Sequence, residues 1–494
     1  MMSTKNFILP AAVIVLVTLG VYLPAMGAGY IWDDPQVLTQ NLLVKAGDGL
    51  RRLWFTTEPR DYFPLTYTSF WFEWRLWGPH PAGYHVANIL LHAASAVLVW
   101  RVLERLRVPG AWLAGLLFAA HPVTVASVAW IAERKNTLSL ALYLLSLLLY
   151  LRFESSGKRG GYILSLIVFL LALFSKTSVV MLPVVLLGCA WWQRGRIDRK
   201  DLMRSLPFFA LAGALAIVGL WFQGHRIIGH MVVRPEGFFS RLAGAGWAVW
   251  FYLYKALLPI SLSMVYPRWN VNAAALFSYL PGLVLLACLG LFWRFRKSWG
   301  RPLLFAFGYF VVTLFPVLGF FDISFMRYSL VADHWQYVSL IGVVALVSGA
   351  AVRFLERRGE AWRDVGVALA VAAVFVLGAL TWRHSMVYQS EETLWRDTLS
   401  KNPKCWVGHN NLASALIARG EVEKGVEHYR EAIRANPNYA EPHYNLGNIR
   451  LAQGKVAEAI SHYREVLRIE PDDAEVRQRL AEALAQQKAA SPPR

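Results

Sequence analysis

Runs of about 20 apolar residues, separated by short loops that collect Lys and Arg, recur through the first 385 residues of this 494-residue chain. That length crosses a bilayer as a helix, and of the structures that satisfy their own backbone in lipid only helices read this way. An all-α polytopic membrane helical bundle is therefore expected. Composition agrees, with 56% of residues apolar and 17% charged. A disordered tail, a disulfide-dense mini-domain and an ordinary soluble enzyme are excluded. Residues 390–494 hold as many acidic as basic side chains, so the net charge of +18 belongs wholly to the apolar part. This divides the chain into a membrane domain, 1–385, and a second domain, 386–494. The cationic surplus sits in short loops, where membrane orientation collects it, and so argues for membrane lipids and against nucleic acid as a partner. Cys189, Cys288 and Cys405 have no metal-ligand spacing, so neither a disulfide framework nor a metal site follows.

Spans and sidedness can be read together. Crossings are predicted near residues 7–25, 82–101, 110–120, 136–151, 205–222, 275–293, 302–320, 335–352 and 363–382. The long run 161–192 is split in two by Ser175-Lys176-Thr177-Ser178, which gives about eleven crossings. Arg101, Arg105 and Arg107, then Arg152, Lys158 and Arg159, then Arg194 to Arg204, then Arg294 to Arg301, all fall on the cytoplasmic side. The loop from about 26 to 82, the His121-Pro122 turn and Lys176 fall outside, as does the C-terminus. Residues 242–258 are expected to be re-entrant or interfacial, since a crossing there would put Arg294, Arg296, Lys297 and Arg301 outside. The first run partly fits a secretion signal, but it is longer than most signal cores and is read as a retained span.

Trp406–Tyr439 and Ala440–Asp473 align without a gap as two 34-residue units, with Asn411-Leu412-Ala413 on Asn445-Leu446-Gly447, Gly420 on Gly454, Tyr429 on Tyr463 and Pro437 on Pro471. This is the period and pattern of a tetratricopeptide repeat, an α-α solenoid of helix pairs. Flanking helices at 391–403 and 474–487 would cover its ends. The array either caps the membrane domain or offers a groove to an extended partner segment.

Polar residues gather in the predicted outer segments. Asp33 and Asp34 are adjacent carboxylates beside the bilayer, where mutual repulsion raises one pKa and suits a general base; a solvated turn before Pro35 is the alternative. The aromatic string from Tyr62 to Trp77 reads as an interfacial helix. His85, Asn88 and His92 share one stripe of a span, at a cost that a functional pocket or inter-helix hydrogen bonding would explain. His121, Glu133, Arg134, Lys135 and Lys176 lie at outer turns, and a lipid phosphate would account for the cations there. Glu133 and Arg134 could equally pair with each other. Arg327, Asp333 and His334 open a late span from the same side.

Ile31-Trp32-Asp33-Asp34, Tyr62-Phe63-Pro64-Leu65-Thr66, Trp77-Gly78, Gly83-Tyr84-His85, Leu91-His92, His121-Pro122-Val123, Ala129 to Lys135 and Val331-Ala332-Asp333-His334 resemble the transmembrane and tetratricopeptide-repeat O-mannosyltransferases. These are C-type (GT-C) integral membrane glycosyltransferases. The resemblance implies a bacterial inner-membrane protein with its repeats on the periplasmic side, a polyprenyl-phosphate sugar as donor and a protein hydroxyl as acceptor. It also implies an inverting transfer with Asp33 or Asp34 as base, while Arg134, Lys135, Lys176 and Arg327 bind the donor phosphate. His85, Asn88, His92, His121, Glu133, Asp333 and His334 would line the pocket. Asn136 stands where the family's second outer loop commonly has an acid, and His334 where an Arg is frequent. No resident cofactor follows, and a divalent metal loses support from those departures. The same scaffold could instead modify a lipid or glycan, or serve as a non-catalytic platform that anchors the repeats.

Overall fold

The computed structural model describes residues 4–229 and 231–490. The chain is all-helical among these residues and divides into two compact units, one of residues 1–264 and 268–389, the other of 265–267 and 390–494. The division falls after Gln389 rather than at 385, because the helix Arg363–Val387 runs on past that point and the Gln389 carbonyl accepts the Gly29 N–H at 3.0 Å.

Among the described residues of the first unit, six helices are long and apolar enough to cross a bilayer: Pro81–Arg105, Ile131–Ser156, Arg199–Ile228, Leu276–Arg294, Gly300–Val317 and Glu360–Val387. The protein is a multi-pass membrane protein. The other predicted crossings fall on shorter or more polar helices, Thr4–Val21, Arg159–Ser175, Leu182–Arg194 and Leu340–Arg358. Leu276–Arg294 buries none of its apolar window, which costs nothing where lipid is the solvent. Inside the bundle, hydroxyls replace bulk: Ser146 and Ser165 each donate to the other's carbonyl at 2.8 Å, locking Arg134–Ser156 against Arg159–Ser175.

Helix ends sort by charge. Arg194 pairs with Glu154 and Asp201, Arg105 with Ser155, and the Arg301 guanidinium caps the Trp191 carbonyl. These gather at one end of the bundle. The other ends of the same helices, at Arg134, Lys176 and Phe222, lie about 34, 25 and 36 Å away by helical rise, the scale of a bilayer's depth. Phe238–Leu257, which covers the ambiguous 242–258, meets the first turn of Leu280–Arg294 through Gly246 against Gly282 and Trp250 Nε1 to the Pro281 carbonyl at 2.9 Å. It runs alongside the 318–339 connection, with Arg241 on Asp322 and Tyr252 Oη accepting the Ala332 N–H.

One span is broken. Ala111–Ala119 and Pro122–Val128 meet at 52°. The break frees carbonyls that lipid cannot satisfy, and neighbouring side chains take them: His92 Nε2 at 3.2 Å from the Ala119 oxygen and Thr381 Oγ1 at 2.7 Å from the Ala120 oxygen. The loop of residues 27–80 folds as short helices over Leu38, Val44, Leu53, Phe70, Tyr84 and Ile131. The aromatic string becomes the helix Pro64–Trp77, seated on Pro81–Arg105 where Gly83 leaves room; a Cβ there would meet the Trp77 ring at 2.2 Å.

The second unit is the repeat array. Trp406–Ala418 pairs with Val422–Ala435 and Ala440–Ala452 with Val456–Ile469, flanked by Glu391–Lys401 and Ala474–Ala490. Gly447 lies beneath the Tyr463 ring, which a Cβ would strike at 2.6 Å. Each repeat also holds a histidine pair in register, His409 with His428 (Nδ1···Nδ1 3.0 Å) and His443 with His462 (3.2 Å).

Candidate active site

A cavity of about 760 Å³ opens where the outer loop, the Trp130–Asn136 turn, the Lys176 break and the 315–338 connection converge. Among the sequence-predicted residues, Asp33, Glu133, Lys135, Lys176, Arg327 and His334 line it, together with Asn136. Arg134, Asp34, His85, Asn88, His92, His121 and Asp333 do not.

The twin carboxylates have separate surroundings. Asp34 is fully buried; its Oδ2 accepts the Ile31 N–H at 2.9 Å and its Oδ1 the Ala132 N–H at 2.7 Å, which ties the outer loop to the second outer turn. Asp33 starts the helical turn Asp34–Val37 and faces the cavity. Burial pushes its carboxyl above the usual range, against the opposing pull of Lys135 and Arg60. Of the two, Asp33 alone lines the cavity.

Also on the cavity lining, Glu133 carries Lys135 at 3.1 Å and Lys176 at 3.3 Å. Asn136 knits this cluster: its Nδ2 donates to Glu133 at 2.5 Å and to the His334 carbonyl at 3.1 Å, and its Oδ1 accepts from Lys176 Nζ at 2.7 Å. An acid at 136 would hold Lys176 more tightly; the amide leaves the pair Lys135 and Lys176 with one carboxylate between them. Burial lowers the Lys176 ammonium to about 8, with Glu133 opposing the shift. Arg327 reaches the wall with its guanidinium on Tyr328 and Met231.

Arg134 is not part of this cation set. It is buried behind the cavity, bonded to Glu73 at 2.5 Å, Asn88 Oδ1 at 2.5 Å and the Tyr84 carbonyl at 3.0 Å. The physical reason is helical: residues 134 and 135 are successive and point about 100° apart, so only one can face the cavity. The polar stripe is likewise scaffold. Asn88 bridges Arg134 and the Trp130 carbonyl, His92 joins Tyr337 Oη at 2.7 Å to the Ala119 oxygen, and His85 is buried against the Ala28–Gly29 backbone. His121 caps the Pro122–Thr124 turn through Val123 N–H and holds the Ala256 carbonyl at 3.0 Å. Asp333 is buried at the start of the Asp333–Gln336 turn.

Arg60, Asp61, Trp32 and Trp130 also line the cavity, beyond the residues expected from sequence. Arg60 bonds Gln36 at 2.7 Å and Asp61 accepts from Tyr67 Oη at 2.8 Å. Trp32 stacks on Trp130, centroids 5.5 Å apart and planes 9° apart. Their position beside Asp33 and within the outer motif was the available signal. No group of three or more His, Cys, Asp and Glu side chains among the described residues is arranged to hold a metal ion.

A family model described as dolichyl-phosphate-mannose-protein mannosyltransferase matches residues 64–222, a stretch that includes Glu133, Lys135 and Lys176 and begins after Asp33. A TPR-repeat model matches residues 413–454 and 447–488. The chain is similar to protein O-mannosyl-transferase F38B6.6 of Caenorhabditis elegans, at 22% identity over 448 residues that cover 84% of this chain and 61% of that protein. Protein O-mannosyl-transferase TMTC4 of Homo sapiens is 25% identical over 481 residues, covering 81% of this chain and 63% of that protein. Protein O-mannosyl-transferase Tmtc2 of Drosophila melanogaster is 32% identical over 216 residues, 39% of this chain and 23% of that protein. The chain thus spans about three-fifths of the length of the first two relatives. The chain is thus similar to these proteins in carrying a stretch that matches a mannosyltransferase model, followed by TPR repeats.

Proposed function

We propose that the protein is a glycosyltransferase that moves a monosaccharide, mannose on the relatives' precedent, from a polyprenyl-phosphate donor to a protein hydroxyl. The observation that carries this reading is Asp33 lining one cavity with Lys135 and Lys176, its carboxyl shifted above the usual range by burial, at the bundle end opposite the basic loops. By the charge rule that end faces out, which in a bacterium puts the cavity and the repeats on the periplasmic side of the inner membrane. The acceptor oxygen attacks the anomeric carbon as its proton passes to the Asp33 carboxylate. The bond from that carbon to the phosphate oxygen breaks, its electron pair stays with the phosphate, and Lys135, Lys176 and Arg327 stabilise the charge that grows there. In-line attack inverts the anomeric centre. The repeat groove would present the acceptor segment.

The test is transfer by purified protein, in lipid nanodiscs, from polyprenyl-phosphate mannose to a Ser/Thr peptide. Transfer that disappears in Asp33→Asn supports the reading. Sugar delivered only to lipid or glycan acceptors would move the protein to the alternative class, and full biological function in Asp33→Asn cells would point to the platform role.

A further inference from the structure

Trp32 has a left-handed backbone, φ 46°, in a region that bulky aromatic residues rarely adopt. Such strain persists only where the surroundings over-determine it. Here Asp34 does so, since its carboxylate clamps Ile31 N–H on one side of Trp32 and Ala132 N–H beyond it. Glycine or asparagine would take this backbone at less cost, so the indole is what the strained position supplies. Its ring lies parallel to Trp130, with Phe325 (5.7 Å) and Tyr328 (5.6 Å) around it, and Trp130 stands edge-on to His334 at 5.7 Å. All five side chains line the cavity beside Asp33, and Trp32 keeps part of its surface open. The cavity lining therefore combines an aromatic cluster, built around the residue preceding Asp33, with the cations Lys135 and Lys176.

We propose that the Trp32 indole is the platform for the donor's sugar, a pyranose whose C–H face lies on the ring. Aromatic faces bind such C–H surfaces, and the contact fixes ring orientation without a charged partner. It sets the anomeric carbon next to Asp33 while the phosphate extends toward the lysines. This inference rests on the transferase reading above and assigns its sugar subsite.

The test is equilibrium binding of polyprenyl-phosphate mannose and of the same polyprenyl phosphate without sugar to the full-length protein in nanodiscs, alongside the transfer assay. Wild type is expected to bind the sugar-bearing lipid more tightly than the bare one. Trp32→Ala and Trp32→Gly should remove that preference and raise donor KM about ten-fold with peptide KM unchanged, whereas Trp32→Phe should stay within about three-fold of wild type. Trp32→Gly relieves the backbone, so it separates lost binding from lost folding, read by thermal unfolding. Equal affinity of wild type for the two lipids overturns the subsite, as does an active Trp32→Ala with unchanged donor KM or a rise confined to peptide KM. Sugar-dependent binding that needs Trp32, in a protein that glycosylates no peptide, leaves the subsite standing and defeats the protein-acceptor reading instead.

Discussion

Asp34 and Ala132 are 98 positions apart in the chain and joined by a 2.7 Å hydrogen bond, so the carboxylate next to the proposed base is a clamp between two loops. An amide at 34 would offer one acceptor where two N–H groups need it. Asp34→Asn is expected to cost about 1–3 kcal/mol of stability, with activity falling because the cavity loosens. Asp33→Asn should do the reverse. Its carboxyl is raised by burial, so ionisation opposes folding above the usual carboxylate pKa of about 4, and neutralising it should hold or raise the unfolding temperature while transfer is lost. Differential scanning of both variants beside the transfer assay checks the pair; destabilisation by Asp33→Asn with stable Asp34→Asn contradicts the assignment.

Transfer should follow a bell in pH. Asp33 must be ionised to accept a proton, so the acid limb lies at higher pH than for an ordinary carboxylate. Lys176 must keep its proton to meet phosphate, so the alkaline limb lies near pH 8. In Lys176→Arg the alkaline limb should move up and out of range. A kcat/KM profile over pH 4 to 10 reads both limbs, and an unmoved alkaline limb in that variant would exclude Lys176.

Arg134 should behave as structure, contrary to its reading from sequence. Its guanidinium and Glu73 form a buried pair, and removing one partner leaves the other uncompensated. Arg134→Ala or Glu73→Ala is expected to cost about 3–5 kcal/mol, whereas the double variant should recover part of the loss. Donor KM, measured on whatever folded fraction survives, should change less than in Lys135→Ala. A larger donor effect for Arg134→Ala would return it to the phosphate site.

The repeat histidines predict acid sensitivity. A pair of imidazoles joined Nδ1 to Nδ1 can share one proton, but two would set N–H against N–H. Burial first, then neighbouring histidine and arginine charge, lowers His428 and His462; burial also lowers His443, with Glu465 opposing and Arg468 adding to the fall. Arg396, Glu427 and Glu431 face the first pair, and Arg430, Arg450, Glu458, Glu465 and Arg468 the second. Folded values below about 6.5 mean that the stability is complete above that pH and is lost as pH falls through them. Hydrogen exchange across 406–469, corrected for intrinsic rate, should show protection falling from pH 7.5 to pH 5 in wild type and much less in a His428→Leu, His462→Leu double variant.

Some of this was legible in the chain. Repeat register, the break at Lys176 and the run of apolar helices follow from period and composition, which act locally. Asp33 and Lys135 could be nominated by residue type, since charges beside a bilayer are few. What could not be read was direction. Arg134 and Lys135 differ by one residue, and nothing local says that Glu73, 61 positions away, takes the first of them. Asp34 likewise looks like Asp33 until the Ala132 N–H arrives from the second outer turn. The stripe His85, Asn88 and His92 is open to two readings by residue type, a pocket or bonds between helices; only the arrival of Arg134, Tyr337 and the Trp130 and Ala119 carbonyls favours the second.

The 52° break between Ala111–Ala119 and Pro122–Val128 thereby acquires a mechanical meaning. His92 and Thr381, on two different helices, act as fasteners that hold the bend by taking the Ala119 and Ala120 carbonyls, and the chain beyond it delivers Trp130 and Glu133 to the cavity. Replacing either fastener with an apolar side chain would let the segment straighten, so lesions deep in the bundle and far from any reacting atom should disarm the catalytic end by moving its walls apart.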